Sequence, residues 1–154
     1  WWSNTPEGAV VAIWREPQVT KVALQEQFDK PATRFTIPLP GLIFLCQPGI
    51  APWVYAVKKR PASDQDKVFA APLFNVFANG RSCQGTHHYP EDVAKQIESF
   101  MLAFFSPGEY GERSKQYPKD LKGLWQSIDK KRSFPMKDLV GHGTVRDLML
   151  MGVR

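Results

Sequence analysis

The residues best suited to chemistry are Cys83 and Asn75, in the stretch Pro72-Leu73-Phe74-Asn75-Val76-Phe77-Ala78-Asn79-Gly80-Arg81-Ser82-Cys83-Gln84-Gly85. Asn79-Gly80 is a tight-turn signal, because both residue types tolerate positive φ. A turn there folds Phe74–Phe77 back towards Arg81–Cys83 and brings Asn75 close to Cys83, eight positions later. A thiol and a carboxamide held side by side suit acyl transfer: the sulfur attacks or is attacked, and the amide donates to the developing oxyanion. Asparagine also bonds its own backbone in turns, so Asn75 is expected to shape the loop as well. His87 and His88 follow four and five residues after the thiol. An imidazole there would lower the thiol pKa or act as its base; the alternative is a polar lead into the next helix. Cys46 lies inside an apolar run and reads as a buried structural cysteine.

The elements that must position this stretch change character along the chain. Apolar, partly β-branched runs at Ala9–Trp14, Arg34–Ile37, Leu42–Cys46, Trp53–Val57 and Lys67–Ala70 predict strands. Pro6 and Gly8 predict a hairpin between Trp1-Trp2 and the first run. Short connections punctuated by Pro and Gly predict an antiparallel meander. From Glu91 to Phe105 the residues Val93, Ile97, Met101, Phe104 and Phe105 follow a helical period, with Pro90, Glu91 and Asp92 at favoured first-turn positions and Ser106-Pro107-Gly108 as the stop. A second helix is predicted from Lys119 to about Lys130, with Leu121, Leu124, Trp125 and Ile128 on one face. Leu148–Met151 reads as a last helix or a docking segment. Strands followed by helices predict an α+β fold, its helices packed on one face of an antiparallel sheet, with the reactive loop between the two halves.

The chain of 154 residues suits a single domain over 1–154 with a sizeable core, and 43% apolar with 23% charged residues excludes wholesale disorder. It begins at Trp1 rather than Met, which predicts a trimmed or missing N-terminal segment against which Trp1 and Trp2 could pack. A net charge of +5 is compatible with an acidic partner or nucleic acid. The basic residues are spread out, however, with tight clusters only at Lys58-Lys59-Arg60 and Lys130-Lys131-Arg132. Neither interleaves aromatics as a single-strand binding groove does, so a solvated basic face is the expectation. Two cysteines and three histidines supply neither a disulfide framework nor zinc-ligand spacing. No apolar run approaches the ~20 residues needed to span a membrane, and no signal peptide is visible. The expected setting is the reducing cytoplasm, where a free thiol survives.

Asn75-Val76-Phe77-Ala78-Asn79-Gly80-Arg81-Ser82-Cys83 resembles, without a gap, the active-site segment of ubiquitin-conjugating enzymes. There a four-stranded meander leads into His-Pro-Asn, a Val-Tyr/Phe pair, a turn, and the catalytic cysteine at the same distance from the asparagine. The sequence is more similar still to a prokaryotic branch, the family D conjugating-enzyme-like proteins known as PRTRC system protein B. That resemblance is carried by Tyr55-Ala56-Val57-Lys58, Ala71-Pro72 with Asn75-Val76, the Gly-x-x-Cys-x-Gly of Gly80 to Gly85, the aromatic-rich segment ending at Phe105, and Phe134-Pro135 before Leu139. It implies a ubiquitin-conjugating-enzyme-like fold: an antiparallel four-stranded meander, an active-site loop, then helices on one face.

The resemblance also implies that Cys83 accepts a ubiquitin-like protein as a thioester from a ThiF-type activating enzyme and passes it to a lysine of a protein target. Asn75 would stabilise the oxyanion, with His87 and His88 as candidate assistants. No metal or organic cofactor is required at this step, since ATP is used upstream by the activating enzyme. An ordinary thiol, of pKa about 8.5, suffices for such a carrier because the incoming thioester is already activated. The sequence departs from the larger family at Leu73-Phe74, which replaces His-Pro, and at Gln84-Gly85, which replaces Leu-Asp. No residue maps cleanly onto the acidic group near the attacking lysine; Asp64 and Asp66 are solvated-loop residues that could approach it. Two rival readings remain at this point: a non-catalytic module that binds the ubiquitin-like protein or its substrate, and a Cys-His hydrolase using Cys83 with His87 or His88.

Overall fold

The computed structural model describes residues 2–6 and 8–151. β1 (Trp2–Thr5) and β2 (Gly8–Arg15) form the expected N-terminal hairpin, while Trp1 and the Trp2 side chain lie outside the described residues. Then come β3 (Gln18–Leu24), β4 (Thr33–Leu39), β5 (Gly41–Gln47), β6 (Ile50–Val57) and β7 (Lys67–Ala70). β8 (Gly141–Thr144) returns from the far end of the chain. A six-stranded antiparallel sheet has the order β1-β2-β5-β6-β7-β8, and β3 pairs with β4 in a separate ladder. β3 and β8 lie outside the predicted strands.

The two ladders share one register. Arg15 faces Leu42 in the first and Gln18 faces Leu39 in the second, so β2–β3 and β4–β5 are the halves of one long hairpin. That register sets Pro17 opposite Pro40. Neither proline has an N–H to give, so the ladder lapses at this pair and resumes beyond it. The two long antiparallel runs are thus interrupted where proline removes the donors.

Both faces of the central strands are covered, which accounts for the almost continuous burial along β5. Leu42, Phe44 and Cys46 of β5 and Val54 and Ala56 of β6 belong to one core, with Phe100 and Met101 of α1 (Gln96–Leu102) and Leu124, Trp125 and Ile128 of α2 (Leu121–Ile128). Ile43, Leu45, Tyr55 and Val57 alternate to the other face. There they meet Val145 and Leu148 of α3 (Val145–Met151). The expectation of helices on one face therefore needs correcting: α1 and α2 share a face and α3 takes the opposite one, because the strands are apolar on both sides. No helix among the described residues is long and apolar enough to cross a membrane.

The first predicted helix is shorter than Glu91–Phe105. Asp92 accepts from the Ala94 N–H to open a 3-10 turn over Val93–Lys95, which runs into α1, and the helix ends at Leu102 with Ala103 already extended. Phe105 belongs to neither helix nor stripe. Its N–H donates to the Ala23 carbonyl (2.8 Å) and its carbonyl accepts from Gln25 (2.7 Å), forming a parallel bridge at the end of β3. Backbone pairing with β3 takes the chain out of the helix, and Phe104 is left 58% exposed.

Candidate functional site

The predicted turn forms, one residue earlier than its dipeptide suggests. The Gly80 N–H donates to the Phe77 carbonyl (2.8 Å), so Ala78 and Asn79 make the corner and Gly80, at φ +92°, lets the chain leave it. Phe77 then donates to Arg81 (2.8 Å), Val76 bridges Ser82, and Cys83 donates to the Asn75 carbonyl (2.7 Å). Asn75 and Cys83 thus close the open end of a miniature hairpin. Its second limb is fastened to the edge of β6: Val54 donates to Gly80 (2.7 Å), Ser82 donates to Pro52 (3.1 Å), and Trp53 bridges Arg81. The Tyr55 hydroxyl donates to the Asn79 carbonyl (2.7 Å). Gly80 is required here twice over, since a Cβ at this position would stand 2.3 Å from the Tyr55 ring.

Three further contacts fix the loop from beneath. Trp125 Nε1 donates to the Pro72 carbonyl (2.9 Å), and its ring meets Phe74 edge-on at 4.8 Å. Leu73 and Phe74 are both buried, so an apolar wedge under an indole braces the loop. The guanidinium of Arg113, itself buried, donates to the Val76 carbonyl. Burial holds its pKa down, to about 10.

Asn75 adopts the left-handed conformation (φ +60°), one that asparagine tolerates better than most residues. Its side chain binds the segment after α1. Nδ2 donates to the Phe104 carbonyl (3.0 Å), while Oδ1 accepts from the Ser106 N–H (3.0 Å), the Ser106 hydroxyl (3.1 Å) and the Tyr110 hydroxyl (3.4 Å). One N–H of the carboxamide is left for an incoming group.

The thiol of Cys83 is exposed and opens onto a cleft of about 720 Å³. Asn75, Gln84, His87, Tyr89 and Ser99 also line it, with Leu102 and Phe104 on the rim side formed by the end of α1. His87 is brought to the thiol's cleft, where Nε2 is 2.7 Å from the Ser99 hydroxyl and the ring stands edge-on to Tyr89 at 4.6 Å. His88 is exposed and takes no part in the lining. Gln84 earns its place structurally: Oε1 accepts from Ala51 (2.8 Å) and Nε2 donates to the His87 carbonyl (2.7 Å), pinning the chain on the far side of the cysteine. Tyr89 was not foreseeable from the loop motif. Burial pushes its phenol up to about 12, with the neighbouring Cys83 adding to the rise.

Asp64 and Asp66 are engaged elsewhere. Asp66 Oδ2 accepts from the Ala62 and Ser63 N–H groups, and Asp64 pairs with Arg146 of α3 at 2.7 Å. Both carboxyls are held below the usual range by those hydrogen bonds, and neither lines the cleft. Cys46 is fully buried, and burial drives its thiol up to about 12. Among the described residues no cluster of three or more His, Cys, Asp or Glu side chains could hold a metal ion.

The family model described as prokaryotic E2 family D matches residues 4–142, nearly the whole chain. No curated protein and no solved structure matches it significantly. The family match spans β2 to β7, the Asn75–Cys83 hairpin and both helices of the first core, so the chain belongs to prokaryotic E2 family D.

Proposed function

We propose that this prokaryotic E2 family D protein carries a ubiquitin-like protein on Cys83 and conjugates it to a target. A ThiF-type activating enzyme, which has spent ATP, presents the modifier's C-terminal carbonyl as a thioester. The Cys83 sulfur attacks that carbonyl and the activating enzyme's thiolate leaves. A lysine amine of the target then attacks the new thioester, a C–N bond forms, and Cys83 departs as the thiolate. Asn75 holds the loop and offers its remaining N–H to the oxyanion; His87 stands in the cleft as a proton acceptor for the attacking amine.

The observation that carries this reading is the exposed thiol of Cys83 at the mouth of an open cleft, on a residue whose backbone N–H donates to the Asn75 carbonyl. A carrier needs such a thiol on a rigid rim, since both reactants are proteins and neither can enter a closed pocket. The openness that suits a protein thioester disfavours a hydrolase, which must hold a small substrate or a strand. The test mixes the protein with a ubiquitin-like protein, its ThiF-type enzyme and ATP, and runs the products with and without thiol. A band heavier by one modifier, lost with thiol and absent in Cys83→Ala, is the expected result. Cys83→Ser should trap the modifier as an ester that thiol does not remove. Conjugation by Cys83→Ala would overturn the carrier role, and complex formation without any thiol-sensitive band would favour a non-catalytic binder.

A further inference from the structure

Thioester aminolysis passes through a tetrahedral oxyanion, and the cleft must supply hydrogen bonds to it. The obvious donor is largely spent, since Asn75 gives one N–H to Phe104 and its oxygen is held by Ser106 and Tyr110. Gln84 is occupied at both ends, and the Ser99 hydroxyl is paired with His87. Thr86 is exposed on the loop, where water competes for its hydroxyl. Tyr89 differs from all of these. Its ring is only 8% exposed, wedged against His87, yet it lines the cleft, and among the described residues its hydroxyl has no hydrogen-bond partner. A buried tyrosine ordinarily finds a partner for its O–H. Here no protein group among the described residues supplies that partner and the hydroxyl is not sealed from solvent, so it is free to meet an oxygen in the cleft that Tyr89 shares with Cys83.

We propose that Tyr89 is a catalytic residue of this site, donating its hydroxyl hydrogen bond to the oxyanion formed on the Cys83-bound carbonyl. The proposal rests on the carrier reading above. As the amine nitrogen bonds to the carbonyl carbon, the carbonyl π electrons move to oxygen, and Tyr89 O–H donates to that oxygen. The electrons return as the C–S bond breaks, the pair leaves with Cys83, and the ammonium proton passes to His87 or water. Tyr89 keeps its proton throughout. Its high pKa, set first by burial, keeps it in the donor form.

The experiment loads Cys83 with a short peptide thioester ending in Gly-Gly by direct thiol exchange, isolates the loaded protein, and follows its discharge to lysine amide. Tyr89→Phe keeps the ring against His87 and removes only the hydroxyl. Its discharge rate constant should fall at least tenfold at saturating lysine, with the lysine concentration for half-maximal rate and the thermal midpoint unchanged. Tyr89→Leu, which removes the ring as well, should discharge no faster than Tyr89→Phe if the hydroxyl is what matters. Wild-type discharge by Tyr89→Phe, from a thioester that forms normally, would overturn this assignment alone. Failure of wild-type Cys83 to hold a thioester at all would overturn the carrier reading and this assignment with it.

Discussion

At the scale of residues, the two cysteines contrast most sharply: Cys83 is exposed, whereas Cys46 is sealed within the core with its thiol shifted to about 12. Iodoacetamide at neutral pH should therefore alkylate Cys83 and spare Cys46 in the native protein, and peptide mass spectrometry should find both modified only after unfolding. Asn75 carries a conformational load together with its four hydrogen bonds. Asn75→Gly loses the bonds but keeps the left-handed backbone at ease. Asn75→Ala loses both and should be less stable than the glycine variant by about 1 kcal/mol, read from urea midpoints. Cys83, Asn75 and the turn between them were legible because the chemistry and the turn signal lie within one short stretch. Tyr110, Ser106 and Ser99 were not, since the sequence near Asn75 says nothing of which distant segment crosses over it. Tyr89 was not legible either, since it lies beyond the Asn75–Cys83 stretch that carries the motif.

At the scale of elements, the active-site hairpin depends on what it is bound to. Gly80→Ala would push a methyl group into the Tyr55 ring and strain a backbone at φ +92°. A loss of about 2–4 kcal/mol is expected, measured by chemical denaturation, from the left-handed penalty and overpacking together. Trp125→Phe keeps an aromatic ring under Phe74 but leaves the buried Pro72 carbonyl without its donor, at a cost of about 1–3 kcal/mol by the same measurement. The strands with dense apolar, β-branched runs were readable to within three residues at each end, and Lys67–Ala70 matches β7 at both ends. β3 escaped because Gln18–Leu24 is half polar on its open face, and β8 because Gly-His-Gly-Thr has no strand-forming composition. The first helix was overextended for a physical reason. Phe104 and Phe105 keep the helical spacing, but the backbone of Phe105 is claimed by β3, and a tertiary hydrogen bond outranks local periodicity.

At the scale of the molecule, the long hairpin, the return of β8 and the burial of both sheet faces tie chain segments far apart in sequence to one site. Surface charge contributes little to that. The Lys122–Glu26 pair, 2.8 Å apart and more than a third exposed on both sides, should matter by less than about 0.5 kcal/mol, so Lys122→Ala should leave the denaturation midpoint almost unmoved. The overall α+β organisation was legible from strands preceding helices, whereas the placement of α3 on the second face was not, because Leu148–Met151 reads as apolar without saying which surface it meets. The seating of the hairpin on β6 has a further effect. Along Pro52–Val54 the outer hydrogen-bonding edge of β6 is covered by Gly80–Ser82, where β7 does not reach. The reactive loop is thus also the guard on an edge that would otherwise recruit a strand from another chain. Variants that unseat the loop should first be noticed as insoluble protein, and the same bonds that aim the thiol keep the molecule from polymerising with its neighbours.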